Sequence, residues 1–370
     1  MSDLLGVINL ENQKDLLNEL TYFRCAAAVP YAGRYRLIDF AMSNMSNAGI
    51  TEIAVFIRKK YRSLMDHLGQ GKVWNLDRKI GGLFILPPDW NDPTDVSMGE
   101  LRHFHNNMSF FVRGRAKHVL LTECQHIANI DYKKIFNQHL ENDADITLVY
   151  KELNNTNPCY LECKRLAFDD NNKSVVKGIN NDFKNQNLYL EKFIIKKDVL
   201  MEIVQYCIAY GKDNLFRDGI MDHIDQYKIH GYKYNGYHSI VNSIISYYSS
   251  SMDLLNIKNY QDLFSQNNTV LTKVKDETPS QYYDSSNAKN SFIANGCKIR
   301  GKVKNSILFR GITVEENASV ENSIIMQDSY IDKNVTLKNV ILDKQVSVSE
   351  GSILIGSEEK PYVIAKNQKI

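Results

Sequence analysis

Apolar positions in the first half of the chain follow two different periods. "EIAVFI" (52–57), "HVLLTE" (118–123) and "DITLVY" (145–150) are short β-branched runs that predict strands, and the segments between them carry apolar residues at helical spacing. From 35 to 49, Leu37, Ile38, Ala41, Met42, Met45 and Ala48 form one stripe, which stops at Gly49, a residue suited to closing a helix. Tyr61, Leu64, Met65 and Leu68 repeat that design and stop at Gly69. "LENQKDLLNEL" (10–20) predicts a further amphipathic helix. Strands separated by helices imply a sheet of mostly parallel strands, covered on both faces.

After about residue 285 the pattern becomes a direct repeat. "KNSILF" (304–309), "ENSIIM" (321–326) and "KNVILD" (338–343) place Asn at 305, 322 and 339 and Ile at 307, 324 and 341, with a step of 17 residues. Leu308, Ile325 and Leu342 keep the same step, as do Val314, Ile331 and Val348, and Val320, Leu337 and Leu354. Within a coil the aliphatics recur every six residues, which predicts a parallel β-helix whose coils turn three corners and stack. "KNSFIANGCKI" (289–299) reads as a shorter opening coil. The expected organisation is an α/β domain over 1–255, a connector rich in Asn, Asp and Ser over 256–288, and the β-helix over 289–370.

Length and composition narrow the function classes. A chain of 370 residues with 43% hydrophobic content is long enough for two domains. Lys plus Arg is 45 against 43 Asp plus Glu, so no pervasive basic field exists to attract nucleic acid or a membrane surface. The first residues lack a basic and apolar leader pattern, and the expected location is the cytoplasm. Of the six cysteines only Cys159 and Cys163 are close together, which favours reduced structural thiols over a zinc site. Domains of this repeat type often belong to acyltransferases that use a histidine base, and no histidine follows His238. The repeat is therefore expected to pack against the first domain and other subunits.

Specific stretches are similar to the ADP-glucose pyrophosphorylase family, also called glucose-1-phosphate adenylyltransferase. "AVPYAGRYRLIDFAMSN" (28–44) resembles the family's AVPxGxxYRLIDFxLSN, and "WNLDRKIGGLFILPP" (74–88) resembles its WxLDRxxGGxxxLPP. "IDYKKIFNQHLENDADITL" (130–148) and "SMDLL" (251–255) match further family segments. The resemblance covers the full chain. It implies a nucleotidyltransferase, Rossmann-like domain with a mixed, mostly parallel sheet, followed by a left-handed parallel β-helix.

The departures fall on the chemistry. The family's glycine-rich phosphate loop corresponds to a stretch with no glycine between Gly6 and Gly33, and its KPAVP lysine is Ala26. Its SGDH aspartate, a Mg²⁺ ligand, falls on Gln125, and the aspartate of YWxDVGT falls on Ile240. The EEKP lysine motif has no counterpart in 174–193, although Lys177 and Lys184 lie nearby. Arg36, Asp39, Asp77, Arg78, Gly99, His126 and Asp218 do match family positions, as a remnant ligand pocket or, for the Arg36 and Asp39 pair, as an anchor of the fold.

The resemblance thus implies a non-catalytic, regulatory type of subunit that binds no cofactor or metal of its own. Mg²⁺ and ATP would be used by a catalytic ADP-glucose pyrophosphorylase partner in a heterotetramer. A homo-oligomer of the chain alone and a sugar-phosphate effector are further expectations. Two alternatives stay open: a weakly active enzyme with displaced ligands such as Glu123 and Asp218, and a structural module that senses sugar phosphates.

Overall fold

The computed structural model describes residues 3–11, 16–88, 99–153, 158–161, 163–169, 175–180, 184–264 and 268–370. A nine-stranded sheet organises the first domain. At its centre Leu4–Asn9 lies parallel between Glu52–Phe56 and His118–Thr122, and Gly82–Leu86 extends the parallel set beyond Glu52–Phe56. The strand Asn187–Lys196 then runs antiparallel to His118–Thr122, which makes the sheet mixed. Alternation along the first strand shows why both faces are covered. Leu4 and Ile8 point into one core cluster, Leu5 and Val7 into another, and all are buried.

The predicted helices at Leu37–Asn47 and Arg62–Leu68 are present, and Gly49 and Gly69 follow them at φ +80° and +52°. The helix expected over 10–20 is not formed by its described residues; positions 12–15 lie outside them. Leu16 bridges to Ser243, and Asn18–Thr21 makes one tight 3₁₀ turn. Asn18 has φ +42°, which no α-helix accommodates, while Leu17 and Leu20 are fully buried in the core. Burial of the two leucines against the domain overrides the helical period.

The repeat folds as three five-stranded parallel sheets stacked side by side, the arrangement expected for a left-handed parallel β-helix. Ile307, Ile324 and Ile341 pair in register, as do Leu308, Ile325 and Leu342, and all six side chains are buried. Asn290, Asn305, Asn322 and Asn339 turn one corner at φ between +45° and +53°, a region that asparagine tolerates better than most residues. A serine ladder supports the next position: Ser323 N–H donates to Ser306 Oγ at 3.1 Å, and Val340 N–H to Ser323 Oγ at 3.1 Å. The stacked strands begin at Gln281–Tyr282, inside the stretch whose composition reads as connector, and Ile257–Phe264 of that stretch is a helix.

The two domains share one apolar cluster that runs from Leu4 to Ile364. A buried ion pair crosses the same boundary, with Arg24 Nη2 2.7 Å from Asp343 Oδ2. Tyr247 Oη donates to Pro30 O at 2.8 Å and Tyr248 Oη to Asn322 O at 2.7 Å, so helix Ile244–Asp253 ties the loop before the first helix to the β-helix corner. Among the described residues no helix is long and apolar enough to cross a membrane.

Candidate functional site

The strands Leu4–Asn9 and His118–Thr122 end together, and their C-terminal ends open onto a cavity of about 460 Å³. Ligand sites of open α/β sheets form at this edge. The loop after Thr122 leads into the short strand His126–Ala128, which pairs antiparallel with His238–Ile240. In that register Ile240 lies opposite His126, and Val241 N–H donates to Gln125 O at 2.8 Å. The fold thus brings Gln125 and Ile240, 115 positions apart in sequence, to the same wall of one cavity.

Neither residue fits a divalent cation. Gln125 is neutral, and Ile240, 4% exposed, has no donor atom. Glu123 is near but occupied: its carboxylate accepts from the backbone N–H groups of Gln125 and His126, the latter at 3.0 Å, and lies 3.6 Å from the buried Lys192 ammonium. Burial pushes the Glu123 carboxyl up from its ordinary range and Lys192 opposes that shift. Among the described residues no group of three or more His, Cys, Asp or Glu side chains is placed to hold a metal.

The rest of the lining mixes apolar side chains such as Leu121, Phe193 and Phe216 with charged ones that are more acidic than basic. Glu100 accepts from Asn9 Nδ2 and from Leu215 N–H, and Glu191 pairs with Lys164 at 3.1 Å. Glu191 stands at φ +52° where the strand Asn187–Lys196 slips register, so its backbone adopts a turn that favours glycine. Lys164 also lies 5.0 Å over the Phe216 ring. Sequence motifs did not single out Glu100, Lys164, Glu191 or Lys192. Lys192 sits in an apolar strand, "YLEKF", where a charged residue needs a partner, and that was the one readable signal.

Of the seven positions expected as a remnant pocket, His126 lines the cavity. Its ring is stacked with His238, and Nδ1 of one lies 2.9 Å from Nε2 of the other. Burial, followed for His126 by the neighbouring ring, pushes both well below the ordinary histidine range. Asp218 lies beside the cavity residues Asn214 and Leu215, where Arg217 grips both its oxygens at 2.6 and 2.9 Å and holds its carboxyl down to about 2. Gly99 opens the helix Gly99–Asn106 at φ +71°, where a Cβ would meet Asp213 O at 2.6 Å.

The others serve elsewhere. Arg36 donates to Ser63 O at 2.6 Å, and Asp39 caps the first helix through Arg36 N–H at 2.9 Å while contacting His67. Asp77 and Arg78 are exposed, with Arg78 Nε donating to Asn75 O. Ala26 is buried in a 3₁₀ turn at the core. Lys177 pairs with Asp169 at 3.9 Å, and Lys184 is exposed; neither lines the cavity.

Two family models divide the chain as the fold does: a nucleotidyl transferase model matches residues 16–159, and a GlmU-like, C-terminal hexapeptide model matches 277–361. The Glycogen biosynthesis protein GlgD of Bacillus subtilis (strain 168) is 35% identical over 369 residues, covering 99% of this chain and 96% of that protein. The chain belongs to the GlgD family. A second GlgD, from Geobacillus stearothermophilus, is 36% identical over 388 residues, 98% of this chain and 96% of that one. The chain is also similar to glucose-1-phosphate adenylyltransferases: that of Clostridium novyi (strain NT) is 29% identical over 331 residues, 86% of this chain and 84% of its own length.

The buried histidines give this GlgD-family chain a defined pH response. A depressed folded-state pKa means that the unfolded chain takes up protons the folded chain refuses, once the pH falls below the ordinary histidine value of 6.5. His139, held down to about 4 mainly by burial, adds to the same window. The urea midpoint is therefore expected to fall between pH 7 and pH 5, and less steeply in His139→Gln. A midpoint that is flat or rises over this range would contradict the neutral buried rings.

Proposed function

We propose that this chain acts in glycogen biosynthesis as a regulatory, catalytically degenerate subunit of glucose-1-phosphate adenylyltransferase. It would modulate a catalytic partner that converts ATP and glucose-1-phosphate to ADP-glucose and pyrophosphate. One observation carries the reading: the two positions expected to supply metal carboxylates line one cavity as Gln125 and Ile240, while the neighbouring Glu123 is already bonded. An intact scaffold with a non-ligating metal site suits a protein that works through contacts. The cavity wall also carries Glu100, Glu123 and Glu191, with Lys164 engaged by Glu191, a poor setting for a triphosphate. Coupling between subunits of about 1–3 kcal/mol would suffice to change the partner's kinetics severalfold to about a hundredfold.

The test is ADP-glucose synthesis by the purified chain, by the catalytic subunit, and by the two together. No turnover is expected from the chain alone, and a changed kcat or KM in the mixture. Mg²⁺-dependent synthesis by the chain alone would favour displaced ligands instead, and an unchanged partner would remove the regulatory role.

A further inference from the structure

A second hollow, of about 540 Å³, lies between the C-terminal end of helix Ile244–Asp253 and the asparagine corner of the β-helix. Asn290, Asn305 and Asn322 from three successive coils form one wall. Backbone geometry explains why asparagine occupies a corner at positive φ, and glycine would serve that need equally. It does not explain the unused amides. Asn290 Nδ2 donates to Asn305 Oδ1 at 2.9 Å, which leaves the Asn305 NH₂ without a partner among the described residues, and the Asn322 side chain bonds to nothing there.

The fourth rung provides an internal comparison. Asn339 is covered by the protein, and both ends of its amide have partners: its Oδ1, 3.1 Å away, shares the Tyr248 hydroxyl proton with Asn322 O, and its Nδ2 donates to Gly356 O at 3.0 Å. The corner amides are thus satisfied where the groove is closed and left open where it is open. Asn305 and Asn322 are half-buried on the groove wall, where a ligand hydroxyl can take the place of water at their amides.

The remaining walls define the ligand chemistry. Asp253 and Glu358 offer acceptors, Met252 and Leu255 offer apolar surface, and no lining residue is cationic. Phosphates and other anions therefore find no counter-charge. Hydroxyl groups, which both donate and accept, match amides that do the same beside carboxylates that accept. Rungs repeating at the inter-strand spacing of about 4.8 Å suit a ligand that is itself a repeat.

We propose that this groove binds a neutral glucan chain, with Asn305 and Asn322 as its hydrogen-bonding rungs. Its assignment as an α-glucan rests on the glycogen role proposed above. The site is separate from the sheet-edge cavity and needs neither nucleotide nor metal.

The full-length chain would be run in native gels containing glycogen and titrated with maltoheptaose, with cellohexaose as the control oligosaccharide. Retardation by glycogen and saturable maltoheptaose binding are expected. Asn305→Gly/Asn322→Gly keeps a residue that accepts the corner conformation and should weaken maltoheptaose binding about tenfold, with the thermal midpoint reporting on folding. Glu358→Ala, at an exposed position, should weaken binding without touching the corner. No retardation of the parent chain, or unchanged binding in both variants, overturns the groove, and equal binding of cellohexaose overturns the α-glucan assignment. Partner stimulation measured on the same preparations separates the two readings. Stimulation without glucan binding overturns the groove alone, and glucan binding without stimulation overturns the regulatory role alone.

Discussion

Arg24→Ala is expected to lower stability by about 3–5 kcal/mol, the cost of leaving a buried charge without its partner. Asp343 is fully buried, and Arg24 reaches both its oxygens, at 2.8 and 2.7 Å. With the guanidinium gone, Lys344 N–H at 2.7 Å is the hydrogen bond that remains to the carboxylate. Removing both charges is a different experiment. Arg24→Met/Asp343→Leu should fall within about 1–2 kcal/mol of the parent, because the desolvation cost of the pair disappears with the pair. The pair joins the first domain to the β-helix, so limited proteolysis beside urea denaturation would show whether Arg24→Ala loosens the boundary before the domains unfold. A loss equal in the single and double variants would show that packing, and not charge, holds the junction.

What could be read from the sequence follows the range of the interactions. The 17-residue step survived intact because each coil buries the same positions against its neighbours, so Ile307, Ile324 and Ile341 specify their own pairing. The helices ending at Gly49 and Gly69 were legible for a similar local reason. The 10–20 segment was not: its leucines keep a helical period, and the burial of Leu17 and Leu20 in the domain core decides the conformation instead. The coils also start earlier than composition suggests, since Gln281–Tyr282 and Asn287–Lys289 are exposed outer strands with few apolar residues to mark them.

The site divides in the same way. Gln125 and Ile240 were placed through flanking residues, and their meeting on one cavity wall, with Ile240 opposite His126 and Val241 bonded to Gln125, is a long-range fact that no local pattern contains. Arg36, Asp39, Asp77 and Arg78 share sequence motifs with the site without lining its cavity, because a motif also records the helix caps and turns that hold the scaffold. Glu191 could not be read at all. Its position at a strand irregularity depends on three neighbouring strands.

Gln125→Asp/Ile240→Asp restores two carboxylates to the cavity wall and should first damage the protein. Ile240 is packed in the core cluster, so the exchange forfeits apolar burial of about 1.5–3 kcal/mol. It also sets two anions beside Glu123, whose carboxyl burial already pushes up. A net loss of about 3–5 kcal/mol is expected without metal. Millimolar Mg²⁺ should recover part of that loss in the double variant and leave the parent unchanged, because a cation stabilises only the state that binds it. A thermal scan of both proteins with and without Mg²⁺ reads this directly. Equal stabilisation of the parent would mean that it binds Mg²⁺ through other ligands, which would remove the observation on which the regulatory reading rests. ADP-glucose synthesis should still be absent from the double variant, since two carboxylates do not rebuild a phosphate cradle from a segment with no glycine between Gly6 and Gly33, whose Leu17 and Leu20 are fully buried. Turnover at the catalytic partner's rate would place the whole defect in the two metal positions and would make the glycine-free segment irrelevant to it.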